Sequence, residues 1–220
     1  MLENHPDGGI ARLRCYAARA PAATDPGDAP ARRVRHAAPI PRGGDAAHQG
    51  PAADAVAARR AAVSPGAEVN LAAESLGARV VATSNNRYGH SQQLLADAAP
   101  KSMGDGWETS RSRGADHFDY VVVALGREGV VTRVEVDFTY FVLNNPVALR
   151  LLGARADDGA LPDDGAWVEL VARRPVKPLA GASLALGADA LAAAGPFTHV
   201  RLETYPDGGA NRLRVVGRTS

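Results

Sequence analysis

Beyond residue 67 the chain is built of short runs in which apolar and polar residues alternate. Val134 and Val136 stand two apart, as do Val200 and Leu202, with Arg133, Glu135 and Arg201 as their neighbours. A period of two places the apolar set on one face and the charged set on the other, as in half-buried antiparallel strands. The pattern predicts strands over 79–83, 120–125, 130–136, 138–142, 147–152, 167–171, 198–203 and 211–216. A short helix over 68–76, ended by Gly77, and an Ala-rich surface helix over 187–194 complete the expected elements. Many short strands divided by Gly and Pro turns predict an all-β fold, a jelly-roll β-sandwich with a few short helices.

Residues 17–64 break this pattern, because they contain no Leu, Met, Phe, Tyr or Trp. A segment with so few large apolar groups buries too little surface to offset the entropy of ordering it, so it reads as a disordered Ala/Pro/Arg-rich linker. Two alternatives stay open: a helical turn or two over 55–62, and a sequence error that lost most of an upstream repeat. The second alternative is suggested by an internal repeat. His5-Pro6-Asp7-Gly8-Gly9 with Arg12-Leu13-Arg14 returns as Tyr205-Pro206-Asp207-Gly208-Gly209 with Arg212-Leu213-Arg214. The expected organisation is therefore the end of a first repeat over 1–16, a connector over 17–64, and a complete repeat over 65–220.

Charge and cysteine usage narrow the function classes. A formal net charge of +1 is too small for a nucleic-acid footprint, and the few aromatics offer no stacking platform for single strands. No apolar run reaches the roughly 18 residues of a membrane span, and Met1 to Pro6 has no apolar signal region. The single Cys15 cannot form an internal disulfide, which points to a reduced, cytoplasmic protein. His5, His36, His48, His90, His117 and His199 show no paired metal-ligand spacing, so neither a metal nor another cofactor is expected.

The densest chemistry lies in Gly104-Asp105-Gly106-Trp107-Glu108-Thr109-Ser110-Arg111-Ser112-Arg113. Two glycines within three positions argue against a regular helix there, and loops on a rigid sandwich commonly carry binding groups. Arg presents a planar fork that grips a carboxylate with two hydrogen bonds, while Asp and Glu hold urea-like N–H groups or move protons. The alternative is a solvated loop with ion pairs around a half-buried Trp. Pro206-Asp207-Gly208-Gly209 suits a tight turn, which gives Asp207 a structural reading beside a functional one. Arg212 and Arg214, two apart on a strand, point to one face and line a pocket, an interface or a solvated surface.

The Gly-Asp-Gly-Trp-Glu-Thr-x-Arg-x-Arg stretch, with Thr198-His199-Val200-Arg201-Leu202 and Tyr205 to Arg214, resembles the allantoicase family. Asn70-Leu71-Ala72 before Gly77-Ala78-Arg79-Val80-Val81 agrees with it. So do Ser84-Asn85 with Tyr88-Gly89 and Leu94-Leu95, and Asp137, Phe141, Asn144 and Pro146. The likeness covers roughly 67–218, with 1–16 as the end of a preceding repeat. This chain departs from the family's pattern at His117-Phe118-Asp119-Tyr120, where the family often has His-Asp-Trp. It departs again at Tyr140 and Leu143, where the family often has His and Gly.

The resemblance implies a galactose-binding-like jelly roll that hydrolyses allantoate to ureidoglycolate and urea in purine breakdown. It implies Glu108 or Asp105 for proton work. It implies Arg111 and Arg113 for the substrate carboxylate, and Trp107, Asn144, Arg201 and Asp207 as further substrate-binding residues. The expected partners are allantoate and further copies of the chain. The rival readings are a non-catalytic ligand-binding module and an inactive remnant.

Overall fold

The computed structural model describes residues 50–220, except 115, 158–159 and 177–182. The expected first-repeat remnant at 1–16 and most of the connector lie outside the described residues. Ten strands are present: β1 (Glu68–Asn70), β2 (Arg79–Thr83), β3 (Trp107–Glu108), β4 (Asp119–Asp137), β5 (Ala148–Ala154), β6 (Val168–Pro175), β7 (Ser183–Leu186), β8 (Phe197–Tyr205), β9 (Gly209–Ala210) and β10 (Arg212–Thr219). All pairings are antiparallel. No helix among the described residues is long and apolar enough to cross a membrane.

The long strand β4 organises the sandwich. Its first half, 119–124, lies between β2 and β8. Its second half lies between β10, from Asp137↔Arg212 to Gly129↔Thr219, and β7. The β4–β8 register shifts between Ala124 and Gly129, where β4 passes from one layer to the other. The first layer is β2–β4–β8–β5–β6 and the second is β1–β10–β4–β7. Val121, Val123, Val200, Leu202, Leu149 and Leu151 from the first layer meet Val134, Val136, Leu213 and Val215 from the second in one buried core. The all-β sandwich expected from the alternation is the fold observed.

Several local expectations are corrected. In place of a helix over 68–76, the chain forms the edge strand β1 against β10, then a 3₁₀ turn over Glu74–Leu76. Asn70 favours the strand, because its Oδ1 accepts from Val215 N (3.0 Å) and Ala72 N (3.2 Å). Gly77 does close the turn, with a left-handed φ of 90°. The strands expected at 120–125 and 130–136 are one continuous strand. The run 138–142 is a turn rather than a strand, since Asp137 Oδ1 accepts from Thr139 N (2.8 Å) and Phe141 N bonds Phe138 O (2.8 Å). The Ala-rich run 187–194 contains only a 3₁₀ turn at Ala188–Ala190. Within the stretch read as disordered, the helix α1 (Ala53–Ala62) is formed, in line with the alternative reading of 55–62. It packs on the Gly77 turn, where a Cβ would lie 3.0 Å from Val56 Cγ1.

The outer face of the first layer is not the solvated surface that alternation suggests. Arg201 and Glu203 on β8 point away from the core, yet they are only 7% and 1% exposed and form an ion pair. Tyr205 Oη donates to Glu203 Oε2 (2.5 Å), and Arg150 lies 3.8 Å from the same oxygen. The Arg201 guanidinium lies over the Trp167 ring at 5.4 Å, and Arg173 over Tyr205 at 4.0 Å. Burial, together with the hydrogen bond and charge of Glu203, pushes the Tyr205 phenol up to about 12.

Candidate active site

The charged motif and the Pro-Asp-Gly-Gly turn are far apart in sequence and are stitched together in space. β3 pairs with β9, Trp107 opposite Ala210 and Glu108 opposite Gly209. Thr109 N donates to Gly208 O (3.1 Å), and Gly208 N donates back to Thr109 Oγ1 (3.1 Å). Asp207 Oδ2 accepts from Ser112 N (2.7 Å), which anchors the loop bearing Arg111 and Arg113.

The glycines of the turn are required by close approach. A Cβ on Gly208, whose φ is 133°, would lie 2.6 Å from Pro146 N, and one on Gly209 would lie 2.1 Å from the Phe141 ring. The turn is thereby seated on the 138–147 loop, where Gly209 N donates to Asn144 O (2.8 Å). A third segment closes the same end: Tyr88 N donates to Glu108 O (3.1 Å), and the Trp107 indole N–H donates to Asn85 O (2.6 Å).

This frame brings Glu108 and Asn144 together. Glu108 is half-buried, and its Oε1 accepts from Asn144 Nδ2 (2.7 Å). The Asn144 amide donor fixes the orientation of the carboxylate. Arg111 and Arg113 are exposed on the adjoining loop and form no ion pair among the described residues. Their guanidinium forks stand available for an anion.

The other expected site residues are engaged differently. The Asp105 carboxylate caps its own 3₁₀ turn, accepting from Lys101 N (2.6 Å) and Ser102 N (2.9 Å). The Lys101 backbone bond is the main reason its pKa lies below the usual carboxylate value. Partial burial opposes this, while the Ser102 bond and the charges of Arg212 and Lys101 support it. Trp107 is fully buried in the main core, so its ring does not line the open loop surface. Asp207 serves the turn and the Ser112 anchor. Arg201 lies in the buried network on the outer face of the first layer, paired with Glu203. Arg212 is buried and donates to Ala98 O (2.9 Å), Asp105 O (2.8 Å) and Asn211 O (2.7 Å). Arg214 donates to Asp97 O at 3.3 Å.

One pair escaped the sequence reading. His117 Nε2 lies 3.4 Å from Oδ2 of buried Asp119, whose other oxygen accepts from Ser84 Oγ (2.7 Å). The residues stand two apart in sequence, which is the signal a search for metal spacings passes over. The imidazole is partly exposed, and Asp119 Oδ2 is buried without a hydrogen bond among the described residues, so the ring lies near the carboxylate without a directed N–H bond to it.

Comparison with known proteins gives the family. The family model described as "Allantoicase repeat" matches residues 69–220. A "Probable allantoicase" of Rhizobium meliloti is 36% identical over 226 residues, covering all of this chain and 54% of the relative. A "Probable allantoicase 2" of Burkholderia pseudomallei is 40% identical over 156 residues, covering 68% of this chain and 44% of the relative. The solved allantoicase structure from Saccharomyces cerevisiae superposes with a TM-score of 0.59 at 30% identity, covering 70% of this chain and 45% of the other. The chain spans about half the length of the relatives it matches. On the family model and these identities together, the chain belongs to the allantoicase family.

Proposed function

We propose that this chain performs allantoicase chemistry at the loop end of the sandwich, converting allantoate and water to ureidoglycolate and urea in the cytoplasmic breakdown of purines. The observation that carries the reading is the half-buried Glu108 carboxylate, held by Asn144 on the segment that continues into the exposed Arg111 and Arg113. Allantoate has one carboxylate and two ureido groups on its central carbon. Hydrolysis breaks one carbon–nitrogen bond there; water supplies the hydroxyl to carbon and the proton to the departing nitrogen. Glu108 mediates that proton movement, and Arg111 with Arg113 holds the carboxylate.

Incubation with allantoate should release urea. Glu108→Gln preserves shape and hydrogen bonding, and should lower turnover about 10²-fold or more, the scale of a general acid–base group. Arg111→Lys should mainly raise KM, because one ammonium cannot reproduce the two-pronged grip. Allantoate binding without urea release would overturn the hydrolase reading in favour of a binding module.

We also propose that the chain self-associates at this end. Tyr140, Val142, Leu143 and Val147 are exposed along one loop, Leu143 by 80%, and Met103 is exposed beside Asn144. Exposed apolar surface of this kind drives association. Light scattering should show a homo-oligomer that Leu143→Asp dissociates; a stable monomer at high concentration would overturn the assembly.

A further inference from the structure

A concavity of about 660 Å³ lies on the first layer at the start of β8, where Thr198 and His199 line it. The loop end lies beyond the other end of the same strand, about 20 Å away at the usual rise per residue. Four arginines line the concavity from four separate places: Arg60 on α1, Arg79 on β2, Arg127 on β4 and Arg155 after β5. Glu128 and Asp157 are the carboxylates that share it, so positive charge is in excess here although the whole chain is nearly neutral. Arg155 pairs with Glu128 at 2.9 Å, and Arg127 is tied to Val63 O at 3.3 Å. Arg60 and Arg79 have no ion pair among the described residues.

The walls are fixed before any ligand arrives. Thr198 Oγ1 accepts from Ala156 N (2.9 Å), which pins the segment carrying Arg155 and Asp157. Gly126 N bonds Leu71 O (2.8 Å), which pins the β4 segment carrying Arg127 and Glu128. Like charges held in one cleft repel each other and focus a positive potential, and an anion between them relieves both. The volume suits a small molecule.

We propose that this cleft is a binding site for a small polyanion, a molecule with two or more phosphate or carboxylate groups gripped by Arg60 and Arg79 and flanked by Arg127 and Arg155. The site is separate from the loop end and does not depend on the hydrolase reading. Calorimetric titration of the full chain with inorganic pyrophosphate, and in a second arm with citrate, tests it and identifies which oxyanion is preferred. Saturable binding that weakens with added salt is expected in at least one arm. Arg60→Ala and Arg79→Ala should each weaken it about tenfold, the usual scale of a lost charge-assisted contact. The loop-end double variant Arg111→Ala/Arg113→Ala should bind as tightly as the unaltered chain. No saturable heat in either arm would overturn the proposal. So would undiminished binding by Arg60→Ala/Arg79→Ala, or loss of binding from the loop-end variant instead.

Discussion

At the loop end, Glu108 is half-buried with a neutral amide beside it, and Arg111 and Arg113 stand in solvent. On the outer face of the first layer, Arg201 and Glu203 are almost fully enclosed, and Tyr205, Arg150 and Trp167 close around them. Both regions carry carboxylates and arginines, yet their charges do different work. The enclosed pair balances itself, so it contributes to the fold. The loop charges are left unbalanced by the protein and suit a ligand that supplies the balance. Charge density alone does not separate these cases; burial and partner count do.

The largest expected effect comes from unbalancing the enclosed pair. Glu203→Ala leaves Arg201 buried without its carboxylate and should cost about 3–5 kcal/mol in denaturant unfolding. Arg113→Ala, at an exposed loop position, should stay within about 0.5 kcal/mol. Equal losses in the two variants would erase the contrast between the regions. A smaller effect is expected at the seam of the loop end. Asp207→Ala removes the acceptor of Ser112 N and should cost about 1–2 kcal/mol, with faster exchange of the Ser112 amide as its local signature. Unchanged exchange there would show that the Arg111–Arg113 loop is held by something else.

The next test is spectroscopic. Burial and Glu203 raise the Tyr205 phenol from 10.0 to about 12. The stability this group contributes is therefore fully present below pH 10 and is lost as pH rises through about 12. Ultraviolet difference titration should show one late-ionising tyrosine that disappears in Tyr205→Phe and shifts earlier in Glu203→Gln. The smallest effect concerns Asp105, whose pKa is lowered chiefly by the Lys101 N–H bond. Its capping contribution is present above the ordinary value of 3.8 and fades as pH falls through the lower folded-state value. Amide exchange at Lys101 and Ser102 should quicken on that acid limb, and Asp105→Asn should remove the pH dependence.

Alternation exposed most of the sandwich, because Val134, Val136, Val200 and Leu202 obey a period of two and lie in the core. It failed where a side chain redirected the backbone: Asn70 holds an edge strand instead of a helix, and Asp137 starts a turn instead of extending a strand. In the candidate site, the motif 104–113 was visible as charge, and Glu108, Arg111 and Arg113 sit where a solvated or catalytic loop would place them. What remained hidden was how each charge is occupied. Asp105 and Glu108 are three residues apart and chemically similar, yet one caps its own turn and the other faces Asn144. That assignment depends on the local backbone and on a loop some forty residues away. Arg201 shows the same limit: its alternation points it outward, but only the neighbouring strands bury it.

The passage of β4 through both layers has a consequence for cooperativity. Each half of the strand is an interior member of its layer, bonded to β2 and β8 along 119–124 and to β10 and β7 beyond Gly129. Loss of β4 would remove an inner strand from both layers at once, so the two layers melt as one unit rather than peeling apart. The loop end and the arginine cleft therefore share a single folding fate, although they sit at opposite ends of the molecule's central strands.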